Sequence, residues 1–152
     1  LNYDSRLNDL SLWKQQLVAE SLGKKGKGIT PIISTCPKDH HSLLQLFLDG
    51  PRDKFFTFFS SYAKKSNKIE SIINTQCEAT KNIFKKKRIP YRNFIFKKND
   101  ESELGTVFIF FILETILLAR LMNVNPYDQP AVEQVKNETR KFLRKKFSKN
   151  YF

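Results

Sequence analysis

Apolar residues along this chain follow two patterns, helical stripes and short continuous runs. Leu10, Trp13 and Leu17 fall on one face of a helix predicted over residues 8–22, which Gly23 ends. Other helices are predicted over residues 39–48, from a cap at Ser66 or Asn67 to the basic run before Pro90, over residues 104–121 and over residues 130–147. Short apolar runs predict three buried strands, over residues 30–35, 54–60 and 92–97.

This alternation of strands and helices predicts an α/β fold. Parallel strands need crossover connections, and helices supply them while they cover both faces of the sheet. We therefore expect a three-layer α/β/α arrangement around a parallel sheet, with the C-terminal helices included in the same domain. Ligands of such sheets bind outside the carboxyl ends of the strands, so we expect the site residues at that edge.

One segment is apolar enough to be mistaken for a membrane span. Residues 104–121 carry two charged side chains, Glu114 and Arg120. Each would cost roughly 2.5–3.5 kcal/mol at the centre of a bilayer on insertion scales. A helix that is apolar all round is equally expected at the centre of a globular domain, and we interpret the segment in that way. Glu114 then needs a partner, which the sequence does not identify.

Length and composition limit the classes of function. The chain has 152 residues, of which 40% are hydrophobic, enough for one domain with its own core. The formal net charge is +12, but lysine and phenylalanine are abundant together with asparagine and isoleucine, a bias that AT-rich coding also produces. A basic nucleic-acid-binding module is an alternative, but no helix-turn-helix, zinc or single-strand-binding signature supports it. We therefore expect no nucleic-acid partner.

The cysteines and the first residues bear on the compartment. Cys36 and Cys77 lie at a predicted strand end and in a helix and indicate no disulfide framework, which fits a reducing cytoplasm. The first ten residues lack the basic flank and the apolar run of a signal peptide. The chain also begins without Met just ahead of a helix, so we expect a cytoplasmic fragment of a longer chain with no membrane partner.

Two side chains suited to proton transfer bracket the first predicted strand. Glu20 continues the stripe of the first helix three residues after Leu17, and a partly desolvated carboxylate suits a general base that works near neutral pH. His41 lies in the first turn of the helix for which Asp39 is the predicted cap. On spacing alone, a solvent-exposed glutamate and a polar first-turn histidine are also open interpretations.

Three blocks of the sequence carry a resemblance to an enzyme family. They are AESLGKKGKG at residues 19–28, TPIISTCPKDHHSLLQLFLDGP at residues 30–51 and NVNPYDQPAVEQVK at residues 123–136. In this order they resemble the C-terminal part of the glucose-6-phosphate isomerase family, and the likeness extends over nearly the whole chain. The resemblance implies that residues 1–152 form the C-terminal domain of sugar-isomerase (SIS) type, with the N-terminal domain absent.

The resemblance also implies an activity and a role for four residues. The family interconverts glucose 6-phosphate and fructose 6-phosphate in glycolysis and gluconeogenesis, without a metal or an organic cofactor. Glu20 matches the base that carries a proton between carbons two and one through an enediol. His41 and Lys136 match the histidine and the lysine that assist opening of the sugar ring, and Gln129 matches a glutamine close to the bound sugar phosphate.

Other parts of the family's site have no match in this chain. The family's first domain carries the Ser/Thr-rich loop that cradles the phosphate and an arginine that stabilises the enediolate, and nothing in this sequence matches either. The family dimer places the histidine in the neighbouring subunit's site. We therefore expect a homodimer, with His41 pointing away from Glu20 within one chain. The alternative function is an SIS-type sensor domain that binds a sugar phosphate without catalysis.

Overall fold

The computed structural model describes residues 1–62 and 67–148. The described part contains five α-helices and two strands, in the order α1 (Asn8–Leu22), α2 (Leu44–Asp49), β1 (Phe56–Ser61), α3 (Lys68–Lys86), β2 (Tyr91–Phe96), α4 (Glu101–Leu121) and α5 (Pro130–Ser148). Helix α1 has the bounds that its apolar stripe and Gly23 predict. The helix predicted over residues 39–48 is instead divided into a 3₁₀ turn, Lys38–His40, and the short α2.

The start of α3 is fixed by a reciprocal cap. The side chain of Asn67 accepts a hydrogen bond from the N–H of Glu70 at 2.9 Å, and the Glu70 carboxylate accepts the N–H of Asn67 at 3.2 Å. This capping box satisfies two donors that the first helical turn leaves unpaired. The prediction of a cap at Asn67 is confirmed, and the other candidate, Ser66, lies outside the described residues.

The sheet is parallel, as predicted. β1 and β2 pair from Phe56 opposite Tyr91 to Ser61 opposite Phe96. The first residues of the chain extend this sheet, because the N–H of Tyr3 donates to the carbonyl of Phe59 at 2.8 Å. On its other edge this N-terminal segment forms an isolated parallel bridge, from Asn2 to Thr35.

The strand predicted over residues 30–35 does not form. Within it only Thr35 takes part in a bridge, opposite Asn2. Pro31 has no N–H to give to a ladder, and the side chain of Ile32 is 57% exposed. The apolar run that predicted a buried strand is therefore an extended segment that reaches the sheet only at its last residue.

One face of the sheet is covered by α2 and α3. Phe56 and Phe58 of β1 point to this side, where they pack against Phe47 of α2. Cys77 and Phe84 of α3 close the same cluster. Successive residues of a strand point to opposite faces, so Thr57 and Phe59 point to the other face of the sheet.

The opposite face of the sheet is covered by α1 and α4. Phe59 of β1 and Phe96 of β2 pack there with Leu10 of α1 and with Val107 and Phe111 of α4. Helices thus lie on both faces of a parallel sheet. The predicted three-layer α/β/α class is confirmed.

Helix α4 buries one face only. Its buried residues recur every fourth position: Val107, Phe111, Thr115 and Ala119. Leu117 and Leu121, away from this stripe, are 61% and 84% exposed. The expectation of a helix enclosed on all sides is wrong, because among the described residues α1, the sheet and the segment at Val124 pack against the buried stripe and the other positions stay exposed. Within the described residues α4 is the one helix whose length and composition would allow a membrane crossing, a test that core helices of soluble proteins also pass.

Glu114 of α4 has a partner that the sequence did not identify. The guanidinium of Arg92 on β2 holds its carboxylate with two hydrogen bonds, one from Nη2 to Oε2 at 2.9 Å and one from Nη1 to Oε1. Both side chains are about one quarter exposed, at 25% and 27%. The charge inside the apolar helix is therefore neutralised by the sheet that the helix covers.

Candidate functional site

A cleft of about 510 Å³ lies where α1 ends and α5 begins. We call it the Glu20 cleft. Its walls come from the end of α1, the loop after it, the turn before α5 and the first turn of α5. The lining residues are Ala19, Glu20, Gly23, Lys24, Lys25, Asn125, Asp128, Gln129, Pro130, Ala131, Val132 and Gln134. Its size is that of a small-molecule site.

The loop after α1 owes its shape to two glycines. A Cβ at Gly23 would lie 2.7 Å from the carbonyl oxygen of Ala19, so a side chain there would clash with the last turn of α1. Lys25 and Gly26 have φ of 54° and 70°, and Lys27 donates its N–H back to the carbonyl of Lys24 at 2.9 Å. Two consecutive left-handed residues make a tight reversal of the chain. The reversal leaves Lys24 and Lys25 on the wall of the cleft.

Lysines of this loop tie it to the turn before α5. The Lys24 side chain is only 8% exposed, and its ammonium lies 3.2 Å from the Asp128 carboxylate and donates to the carbonyl of Asn125. The ammonium of Lys27 donates to the carbonyl of Met122 at 2.7 Å. These contacts bring two segments about a hundred residues apart into one wall. Sequence reasoning did not name Lys24 or Asp128, although both fall inside the blocks that carry the family resemblance.

Glu20 and Gln129 meet in this cleft. The Nε2 of Gln129 donates to Oε2 of Glu20 at 2.9 Å, across 109 positions of sequence. Within α1, Nε2 of Gln16 donates to the other carboxylate oxygen at 3.2 Å. Both donors are neutral amides, so they orient the carboxylate without cancelling its charge. A held, charged carboxylate on the wall of a cleft can accept a proton from a bound molecule.

The position of Gln129 is set by the start of α5. Pro130 is the first residue of that helix, where its missing N–H costs nothing and its fixed φ suits the helix. The carbonyl of Gln129 accepts the N–H of Glu133 at 3.3 Å, which fixes its backbone at the helix start. With the backbone fixed in this way, the side chain of Gln129 extends to the Glu20 carboxylate.

Lys136 is not brought into the Glu20 cleft. It lies further along α5, and its ammonium contacts the carboxylate of Glu133 at 2.6 Å. Both side chains of this pair are about half exposed. The structure therefore joins Glu20 to Gln129 but leaves Lys136 outside the lining.

His41 also lies apart from the Glu20 cleft. It is exposed and follows the 3₁₀ turn that precedes α2. Its neighbour His40 is held against the sheet, because Nε2 of His40 lies 2.7 Å from the Tyr3 hydroxyl. Burial lowers the pKa of His40. Asp39 accepts the N–H of Thr35 at 2.7 Å, so it fixes this turn to the end of the preceding segment.

The Glu20 cleft lies toward the amino ends of the strands, at the opposite edge of the sheet from the one predicted. Helix α1 begins beside the carboxyl ends of the strands, where Leu7 packs with Phe96, and it runs back along the sheet. Near its end, Val18 lines one cavity together with Phe56, the first residue of β1. The prediction of a site at the carboxyl edge is therefore wrong for Glu20 and Gln129, because α1 runs back along the sheet and its last turn lies toward the amino ends of the strands.

Metal-ligand chemistry has no candidate cluster in the described residues. Within residues 1–62 and 67–148, no group of three His, Cys, Asp or Glu side chains is arranged to hold a metal ion. The polar groups that converge in the Glu20 cleft are carboxylates, amides and lysines. They suit a polar organic ligand.

The fold and the cleft together define an α/β protein with a ligand-sized site at its helix ends, and comparison with known proteins narrows this class. A probable glucose-6-phosphate isomerase from Methanococcus maripaludis is 33% identical over an alignment that spans 86% of this chain and 33% of that protein. The glucose-6-phosphate isomerase of Methanocaldococcus jannaschii is 33% identical over an alignment that spans 88% of this chain and 40% of that protein. No protein-family model matches the chain.

A solved structure gives the same result for the fold. The crystal structure of a glucose-6-phosphate isomerase from Chlamydia trachomatis matches with a TM-score of 0.76 and 17% identity, over 99% of this chain and 34% of that chain. The chain is thus homologous to part of the glucose-6-phosphate isomerases, which confirms the resemblance. It spans a third to two-fifths of the length of the two archaeal relatives.

Proposed function

We propose that residues 1–152 are the C-terminal, SIS-type catalytic part of a glucose-6-phosphate isomerase. In this proposal the complete enzyme interconverts glucose 6-phosphate and fructose 6-phosphate. The observation that carries it is the hydrogen bond between Gln129 and Glu20 inside a cleft of about 510 Å³. The family resemblance makes one of these residues the base and puts the other close to the bound sugar phosphate. They meet in the cleft although they are far apart in sequence.

Glu20 is the proposed base of this reaction. Its carboxylate takes the proton from carbon two of the open-chain aldose and returns it to carbon one, with an enediol between the two steps. Orientation by Gln16 and Gln129 keeps the carboxylate aimed while both donors stay neutral. General acid–base catalysis of this kind contributes about a hundred- to ten-thousand-fold to rate.

Lys136 and His41 are proposed to assist opening of the sugar ring. Neither lines the Glu20 cleft, so each must reach the sugar by another route. The exposed position of His41 suits action in the site of a second subunit, and the proposed homodimer supplies one. The Lys136 ammonium would have to leave Glu133, a contact between two half-exposed side chains that solvent screens.

The rest of the site is proposed to come from outside these residues. Phosphate binding and enediolate stabilisation have no matching motif in the sequence, and the chain spans about a third of one relative. Positioning and electrostatic stabilisation supply much of an enzyme's rate, so the 152 residues alone are expected to be a very weak isomerase or inactive. The proposal includes a cytoplasmic setting, with which the two buried, free cysteines accord.

A coupled assay of fructose 6-phosphate conversion tests the proposal. The complete protein that contains this chain is compared with its Glu20→Gln variant, which keeps the shape of the side chain but cannot accept the proton. Glu138→Gln is the matched control, because Glu138 is exposed on α5 and its ion-pair partner among the described residues is Lys141 of the same helix. We expect turnover to fall by about a hundredfold or more in Glu20→Gln and to stay unchanged in the control.

Binding of the sugar phosphate separates this proposal from the sensor alternative. If the complete protein binds fructose 6-phosphate but turns none of it over, the sensor function is correct and the isomerase proposal is wrong. Near-normal turnover in Glu20→Gln would remove Glu20 from its assigned role. Full activity of the 152-residue chain would contradict the division of the site between this part and another.

A further inference from the structure

A second cleft, of about 570 Å³, lies on the other side of α1 from Glu20. We call it the Lys14 cleft. It is formed by α1, the start of β1, the end of α4 and the extended segment over residues 29–34. Its volume falls within the range of small-molecule sites, and nothing in the proposed isomerase mechanism uses it.

Most of the wall of the Lys14 cleft is apolar. Val18 of α1, Phe55 and Phe56 at the start of β1 and Leu118 of α4 line it. The segment over residues 29–34, which fails to form a strand, supplies Ile32, whose side chain is 57% exposed. These surfaces suit the apolar body of a ligand.

Lys14 brings an unneutralised cation into this apolar wall. Its ammonium lies 3.5 Å from the Thr57 hydroxyl and 4.8 Å from the centre of the Phe111 ring. Within residues 1–62 and 67–148 no carboxylate comes within ion-pair distance of it, because Arg92 holds both oxygens of the nearby Glu114. Burial lowers the pKa of Lys14 to about 8, and the charge of Arg92 adds to that effect while Glu114 opposes it.

Thr57 links the cations of this cleft. Its hydroxyl oxygen accepts from Lys14 and also from Nε of Arg92 at 3.0 Å. With both donors on its oxygen, the hydroxyl proton is free to donate to a ligand. A cation and a hydroxyl donor side by side form a head-group site for an anion.

The charge balance of the lining fixes the charge of the ligand. The cationic side chains that line the cleft are Lys14, Lys54 and Arg92, against the carboxylates of Asp53 and Glu114. Lys54 contacts Asp53 and Arg92 contacts Glu114, so one cationic side chain, Lys14, remains. The amino group of Leu1 also lines the cleft, but burial lowers its pKa to about 6, so it is mostly neutral at pH 7. We propose that the Lys14 cleft binds a small amphipathic carboxylic acid, with its carboxylate on Lys14 and Thr57 and its apolar body against α1, β1 and α4.

Octanoate is the probe that tests this site, because it carries one carboxylate on an apolar chain that the cleft can contain. Backbone amide shifts are followed by NMR as octanoate is added to the protein. We expect shifts centred on Val18, Thr57 and Leu118, and about tenfold weaker binding of 1-octanol, which lacks the charge.

Two lysine variants make the test specific. Lys14→Met keeps the length and apolar stem of the side chain and is expected to weaken octanoate binding about tenfold. Lys86→Met removes an exposed lysine at the end of α3 and is expected to bind like the unaltered protein. Octyl phosphate, with a second charge, is expected to bind more weakly than octanoate.

Three results would overturn the proposal. They are the absence of shifts in the Lys14 cleft, shifts confined to the exposed apolar faces of α4 and α5, and equal octanoate affinity in Lys14→Met and the unaltered protein. Because the proposal does not involve Glu20, its outcome is independent of the isomerase assay.

Discussion

The two clefts beside α1 use charge in different ways. In the Glu20 cleft the carboxylate of Glu20 is held by two neutral amides, from Gln16 and Gln129. In the Lys14 cleft the carboxylate of Glu114 is fully engaged by Arg92, and the ammonium of Lys14 is left over. One helix thus carries an available anion near its end and an available cation in its middle. The comparison shows that whether a charged side chain can interact with a ligand depends more on its partners in the protein than on its burial.

Removing the structural carboxylate is expected to have the largest effect on stability. Glu114→Gln leaves the partly buried guanidinium of Arg92 without its counter-charge, which we expect to cost about 1.5–3 kcal/mol in the free energy of unfolding. Urea unfolding measures this cost, with Glu138→Gln as the exposed control at about 0–0.5 kcal/mol. Equal unfolding midpoints for the two variants would contradict the structural role of the Arg92 pair.

The partner of Glu114 shows where sequence reasoning ends. The interpretation of residues 104–121 as a helix of a globular domain required a partner for Glu114. No local pattern identifies Arg92, because the contact depends on how α4 crosses β2. Helix α1, by contrast, was predicted with its observed bounds, since its stripe and Gly23 are local signals.

The failed strand over residues 30–35 has a related cause. Its apolar composition satisfies the strand pattern, but whether such a run is buried depends on what packs over it. Ile32 is exposed and Pro31 cannot donate, so only Thr35 joins the sheet. The resemblance gave Glu20 and Gln129 separate roles, as the base and as a residue close to the sugar phosphate, and in the structure the two side chains share a hydrogen bond. The edge of the sheet was mispredicted, because the general rule places ligands at the carboxyl ends of the strands, whereas Glu20 lies in the last turn of α1, which has run back to their amino ends.

Neutralising the leftover cation is expected to stabilise the protein by a smaller amount. Lys14→Met removes a charge that burial disfavours, so we expect a gain on the order of 1 kcal/mol at pH 7. The pKa of Lys14 falls from 10.5 in its ordinary state to about 8 in the folded protein. Between pH 8 and pH 10.5 the unfolded chain binds more protons at Lys14 than the folded protein does, so the stability of the unaltered protein rises with pH. The extra stability of Lys14→Met therefore shrinks over this range.

Thermal unfolding at pH 7 and at pH 10 measures this prediction, with Lys86→Met as the control. The charged groups near Lys14 are Arg92, Glu114 and the amino group of Leu1. All three are kept in Lys14→Met, so a pH-dependent difference between the variant and the unaltered protein reports on Lys14. A destabilised Lys14→Met variant, or a difference from the unaltered protein that does not change with pH, would contradict the comparison between the two clefts.

Loss of the amide that orients Glu20 is expected to have the smallest effect on stability. Gln129→Leu removes an exposed hydrogen bond and should lower the free energy of unfolding by about 0.5 kcal/mol or less. In the complete protein, turnover should fall about tenfold, because the carboxylate loses one of its orienting donors. Gln45→Leu, at an exposed position on α2, is the control. A large loss of stability with unchanged turnover would make Gln129 a structural residue.

The most direct test of Glu20 as the base is proton exchange with solvent. Fructose 6-phosphate is incubated in D₂O with the complete protein, and deuterium at carbon one is followed by NMR. An enediol intermediate with a solvent-exchanged carboxylic acid predicts incorporation with the unaltered protein and with Glu138→Gln, and none above background with Glu20→Gln. Incorporation in Glu20→Gln at the rate of the unaltered protein would contradict the assignment of Glu20 as the base.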